Sequence, residues 1–302
     1  MGKRLGSGLV VACAVLVGAL CVPSAQAGLV LLPQKTVVYA ALGDSYTSGP
    51  LVLPHDQSRV PQDCGQSYFN YPHVAAQEMH VAQLRDVSCG SATIDDFAGP
   101  QDGLPLGGTN APQYGVLDAS VNVVSVGIGG NDVNFTGLAL DCVQFAGPAT
   151  APRCTPTADA GPNDPVTKKI AAMGVEFGVA LDEIHHRAPN AIVLVVSYPT
   201  ALPDNGVGCY PYLPIENADM PYLVAKFKEM NAELARQASL HNARYVDIYT
   251  PSIGHDACQP PGIAWVNGAV LVPPSFPAHP NQLGLMHSGH TVAAAMRAAL
   301  SS

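Results

Sequence analysis

The 302-residue chain has little charge: Asp, Glu, Lys and Arg make up 12% of it, against 48% hydrophobic residues. Acidic residues outnumber basic ones, 23 to 14, and no basic run exceeds two residues. Nucleic acids and anionic membrane surfaces are recognised by basic patches, so both are excluded as partners. The apolar content is too high for a disordered chain. Aromatics are scarce, at 6% with a single tryptophan, which leaves little material for stacking against polysaccharide. No CxxC pair occurs, which discounts a cysteine-based metal site. Internal repeats are also missing, so a solenoid is excluded.

The first residues read as a separate element. Lys3 and Arg4 precede an apolar run over residues 9–22, and Ala25-Gln26-Ala27 offers a small-residue cleavage site. This is the pattern of a secretory signal peptide over residues 1–27, and the run is short of the ~20 residues a membrane span needs. The remaining 28–302 is expected to be a single domain, released outside the cell. Removal of the leader leaves 12 basic and 23 acidic residues, a net charge of −11. Cys13 and Cys21 depart with it, leaving Cys64, Cys89, Cys142, Cys154, Cys209 and Cys258. An even set in an exported protein reads as three disulfides, with 15 pairings open on the sequence alone.

Apolar, β-branched runs at residues 36–42, 121–126 and 191–196, with a weaker one at 243–248, predict strands. Helices are predicted over about 221–241 and 284–300. Another starts at Pro165, capped by Asp164, with Ile170, Met173, Phe177, Leu181 and Ile184 on its apolar side. Alternation of such strands with helices predicts a parallel sheet covered on both faces, with ligands bound beyond the strands' carboxyl ends.

Three separated segments carry chemistry: Gly43-Asp44-Ser45, Gly129-Gly130-Asn131-Asp132 and His279-Pro280-Asn281. They supply a hydroxyl nucleophile, a carboxamide donor and an imidazole base. A serine hydroxyl attacks an ester at neutral pH only when a base takes its proton, and the resulting oxyanion needs donors already in place. Ser45 and Asn131 both lie just past predicted strands, so a parallel sheet brings them to one rim. Asp44 and Asp132 read as turn-stabilising residues. His287 and His290, three apart on the last helix, have no nearby carboxylate or cysteine in sequence to complete a metal site. Asp247 and Asp256 are alternative acids for the base.

Together with Asn70-Tyr71-Pro72, Asp86-Val87-Ser88-Cys89 and Trp265-Val266-Asn267, these segments resemble the GDSL esterase/lipases of the SGNH hydrolase superfamily, in particular secreted three-disulfide bacterial members. The likeness runs from about Tyr39 to the end. It implies a three-layer α/β/α sandwich with a mainly parallel, flavodoxin-like sheet, and carboxylic ester hydrolysis through an acyl-enzyme. It puts the nucleophile on Ser45, the base on His279, and the oxyanion hole on Asn131 with the backbone N–H groups of Ser45 and Ser91. At Ser91 the family usually has glycine. Many members also place an aspartate three residues before the histidine, where this chain has Phe276. The resemblance to relatives that use a carbonyl there implies a Ser45–His279 dyad, with the Phe276 carbonyl accepting from His279 Nδ1. It further implies the pairing Cys64–Cys89, Cys142–Cys154 and Cys209–Cys258.

No metal or organic cofactor is expected, and the expected partner is a small-molecule or lipid ester acted on by a monomer. The apolar segment 50–54 after the nucleophile is a candidate acyl-pocket wall. The alternatives are a carbohydrate deacetylase and a non-catalytic secreted binding protein on the same fold.

Overall fold

The three central strands of the sheet come from chain segments that carry almost no polar side chains. In the computed structural model, which describes residues 36–143, 154, 161–268 and 275–302, strand β1 (Val38–Gly43) has five consecutive buried residues. Strands β3 (Val123–Gly127) and β4 (Ile192–Val196) are similarly buried. Such runs require cover on both faces. Ala40 and Leu42 of β1 enter one core, and Tyr39 and Ala41 enter the other.

Five strands pair in the order β2-β1-β3-β4-β5, every neighbour parallel. Strands β2 (Gln83–Asp86) and β5 (Arg244–Val246) form the edges. On one face lie α2 (Tyr71–Glu78) and α6 (Gln282–Leu300). The other face is covered by α4 (Pro165–Arg187) and α5 (Met220–Leu240). This is the three-layer α/β/α arrangement the resemblance implies. Two short helices follow strand ends: α1 (Ser45–Ser48) after β1, and α3 (Phe135–Asp141) beyond β3.

Local signals explain most boundaries. Asp164 accepts from the Val166 and Thr167 N–H groups, and Pro165 opens α4, as the cap pattern requires. Asn281 caps α6 through the Gly284 N–H. The expected strand at 243–248 is only Arg244–Val246, an edge element. Neither β2 nor α2 is among the sequence expectations. β2 reads Gln-Leu-Arg-Asp, without an apolar run, and leans on β1 from the edge of the sheet.

Disulfides join Cys64 to Cys89, Cys142 to Cys154 and Cys209 to Cys258, the pairing the resemblance implies. The expected leader, residues 1–27, lies outside the described residues, as does most of the loop closed by Cys142–Cys154. Among the described residues no helix is long and apolar enough to cross a membrane.

Candidate active site

The strand order reverses between β1 and β3, and a crevice opens there beyond the carboxyl ends of the strands. Ser45 sits at the first position of α1, with the Asp44 side chain accepting from the Tyr46 N–H as a cap. The turn that presents it needs Gly43. A Cβ there would lie 2.2 Å from Thr47 Oγ1 and 2.5 Å from the Gly127 carbonyl. The Ser45 N–H is one of the helix's first-turn donors, which have no partner within the helix.

His279 approaches from the other side. Its Nε2 lies 2.8 Å from Ser45 Oγ. The loop carrying it is clamped by main-chain bonds, Asn267 N–H to the His279 carbonyl at 3.0 Å and Ala278 N–H to the Asn267 carbonyl at 2.9 Å. Tyr46 packs 4.9 Å from the imidazole, ring centre to ring centre, and its hydroxyl donates to the Ala278 carbonyl at 2.5 Å. Burial holds the His279 pKa below its ordinary value, against a raising hydrogen bond from the Pro277 backbone. Burial thus favours the neutral imidazole, the form that can accept a proton.

The carbonyl that holds Nδ1 is Pro277, at 2.8 Å, and this corrects the expectation for Phe276. Residues 276–279 form a tight turn in which the His279 N–H donates to the Phe276 carbonyl at 3.2 Å. Pro277 takes the second position, and Ala278 the third with φ +57°, the arrangement of a type II turn. The turn occupies the Phe276 carbonyl, and the next one along reaches the imidazole. The Phe276 ring contributes an edge-on contact with His279, centroids 5.2 Å apart, and is 46% exposed.

Asn131 follows β3 and lines one small cleft with Ser45. Its Nδ2 donates to the Ala92 carbonyl at 2.8 Å, which orients the carboxamide and uses one of its two N–H bonds. The neighbouring Asp132 accepts from the Ile94 N–H at 3.0 Å, a second tie to the same loop. Burial raises the Asp132 pKa to about 6, despite that hydrogen bond. Ser91 stands in this loop with φ +64°, the left-handed region that favours glycine. The serine thus keeps the backbone angle glycine would supply, at a cost of about 1 kcal/mol or more. Cys64–Cys89 and the Gly90 N–H bond to the Cys64 carbonyl, 3.0 Å, hold the loop on the segment that follows Ser45.

The cleft walls were not recognised from the sequence as such. Phe135, Phe227, Met230 and Tyr198 line it beside Ser45 and Asn131. Phe227 and Met230 belong to the helix expected over about 221–241, now α5. The segment 50–54 does not line this cleft: Val52 is buried, while Leu51 and Leu53 are 49% and 63% exposed. Of the paired histidines, His290 bonds to Glu78 at 2.8 Å, and His287 stacks on Trp265 at 4.0 Å.

A second histidine tethers the loop after Ser45. His73 on α2 lies between Asp56, at 3.0 Å from Nε2, and Asp86, at 3.6 Å from Nδ1. Burial pulls its pKa down, but the two carboxylates outweigh this and leave it raised. A raised folded-state pKa stabilises fully below the unfolded value near 6.5, and the gain is lost as pH rises through the folded value. Wild type should therefore melt higher than His73→Gln by about 2–4 °C at pH 6. The gap should narrow by pH 9, measured by thermal melts at both pH values.

Comparison with known proteins shows the family. The profile of the GDSL-like lipase/acylhydrolase family matches residues 41–285. Lipase 2 of Streptomyces coelicolor is 35% identical over 251 residues, covering 82% of each chain. The chain belongs to the GDSL-like lipase/acylhydrolase family. It is a carboxylic ester hydrolase of the esterase/lipase type. Two solved structures share its fold: phospholipase A1 from Streptomyces albidoflavus NA297, with TM-score 0.65 and 22% identity, and an extracellular lipase from Streptomyces rimosus, with TM-score 0.63 and 24% identity. Each covers 86% of this chain and 99% of its own.

Proposed function

We propose that this GDSL-family hydrolase is a secreted esterase that works through an acyl-enzyme on Ser45. The observation that carries this is the 2.8 Å contact between Ser45 Oγ and His279 Nε2, with the Pro277 carbonyl 2.8 Å behind Nδ1. That carbonyl accepts the Nδ1 proton, so Nε2 carries the lone pair that takes the Ser45 proton. Ser45 Oγ then bonds to the ester carbon, and the carbonyl oxygen becomes an anion facing Asn131 Nδ2 and the N–H groups of Ser45 and Ser91. His279 gives its proton to the leaving alcohol, activates water, and the acid is released. A backbone carbonyl fixes the tautomer but provides no full counter-charge for the imidazolium, which distinguishes this dyad from a triad.

The cleft beside Ser45 is small, about 30 Å3, and apolar where Phe135, Phe227 and Met230 wall it. This supports a short acyl group as the part of the substrate it receives. Three disulfides and the residue 1–27 pattern support export, and all reacting groups come from one chain, which supports action as a monomer.

A chain-length series of p-nitrophenyl esters, run beside acetylated xylan, tests the reading. Butyrate should be turned over with at least about tenfold higher kcat/KM than palmitate, a difference of about 1.4 kcal/mol in transition-state binding. Preference for acetylated xylan would replace the esterase by a carbohydrate deacetylase. No turnover, together with no labelling of Ser45 by a fluorophosphonate probe, would leave a binding protein.

A further inference from the structure

Tyr198, the second residue after β4, touches both halves of the site described above. Its ring is 3% exposed and lines the cleft that holds Ser45 and Asn131. Its hydroxyl donates to Asp44 Oδ2, the carboxylate immediately before the nucleophile. The same oxygen accepts from the Gly130 N–H at 2.8 Å, the peptide immediately before Asn131. A phenol has one proton to give and lone pairs to accept with, and both capacities are used. Asp44 in turn accepts from the Tyr46 N–H with Oδ1, and its own N–H donates to the Gly127 carbonyl at 3.1 Å.

The phenol is itself held in place. Asn231 on α5 accepts from the Tyr198 N–H at 2.9 Å and donates to the Tyr198 carbonyl at 3.0 Å, a two-point clamp on its backbone. Tyr46 lies edge-on to the ring at 5.0 Å, and Phe227 at 6.1 Å. A Cβ on Gly130 would meet the phenol oxygen at 3.1 Å, a contact tight enough to push the two apart by a few tenths of an ångström.

We propose, resting on the assignment of Ser45, His279 and Asn131 above, that Tyr198 is a positioning residue that locks the nucleophile turn to the oxyanion turn. It never reaches the reacting atoms. One oxygen sets the distance between two loops that arrive from different strands, and so fixes where the Asn131 carboxamide stands relative to Ser45 Oγ.

The lock depends on Asp44 being ionised, because a neutral carboxyl would offer its own proton to the phenol and leave the phenol proton without an acceptor. Burial raises the Asp44 pKa to about 7, the Tyr198 hydrogen bond lowers it, and the like charge of Asp132 raises it again. The other groups facing this carboxylate are the phenols of Tyr46, from α1, and Tyr71, from α2, with His279 beyond Ser45. Removing the phenol oxygen therefore uncouples the lock from Asp44, and replacing Asp44 by asparagine abolishes the titration itself.

Steady-state kinetics on p-nitrophenyl butyrate from pH 5 to 9, with the full chain, test this. Tyr198→Phe should lower kcat about 10–100-fold, the scale expected of a small misplacement, with KM within about threefold. In Tyr198→Phe and Asp44→Asn alike the acid limb of kcat should move to lower pH, because in neither does the lock follow the charge on Asp44. Tyr198→Phe with wild-type kcat and an unmoved limb overturns the proposal. So does a loss of activity that follows a lowered melting temperature while the limb stays in place. Should Tyr198→Phe not fold, an unmoved limb in Asp44→Asn overturns it alone. Ser45→Ala run alongside separates the two levels. Activity retained there sinks the underlying assignment, whereas an inactive Ser45→Ala beside an unaltered Tyr198→Phe sinks only the role of Tyr198.

Discussion

Ser45→Ala is expected to lower kcat on p-nitrophenyl esters by about 10⁴–10⁶-fold while the protein melts as wild type does. In the proposed mechanism this hydroxyl, 2.8 Å from His279 Nε2, is the nucleophile, so its loss would remove covalent catalysis rather than weaken it. Residual turnover above water would come from the oxyanion donors and from binding, which alanine at position 45 leaves in place. His279→Ala should fall as far, and the double variant no further, since the two act as one unit. A Ser45→Ala protein within tenfold of wild type would identify a different nucleophile.

Asn131→Ala carries the second-largest expected effect, a loss of about 10²–10³ in kcat with KM little changed. In the proposed mechanism the carboxamide faces a charge that exists only after Ser45 has attacked, so it would stabilise the transition state more than the bound ester. Its second bond, to the Ala92 carbonyl, also aligns the loop bearing the Ser91 N–H. Truncation therefore removes one donor and loosens another. Equal falls in kcat and rises in KM, measured on the same esters, would show that Asn131 binds ground state and transition state alike.

Much of this arrangement was legible from residue pattern. The runs that became β1, β3 and β4 are apolar on both faces, which only a covered parallel sheet accommodates. The polar edge strand β2 carried no such signal, because its pairing to β1 and not its side chains makes it a strand. Helix α2 is eight residues long, and its Asn70 cap and Pro72 were read as a family segment rather than as a helix start. The Phe276 expectation missed by one residue. Which carbonyl reaches an imidazole depends on the turn geometry, and Ala278 in the left-handed region gives no hint of that in its identity. Tyr198, two residues past β4, carries no signal of its own in the sequence. Its role comes from two partners, 154 and 68 positions away in sequence, that only folding brings together.

The cleft draws its reacting groups and its apolar lining from different places. Hydroxyl, imidazole and carboxamide stand on tight turns, whereas Phe135, Phe227 and Met230 stand on α3 and α5. Bulk can thus be added or shaved at Phe135 and Met230, whereas Phe227 also packs on Tyr198 and is best left alone. Reactivity and chain-length selectivity are separable properties of this scaffold, open to independent redesign.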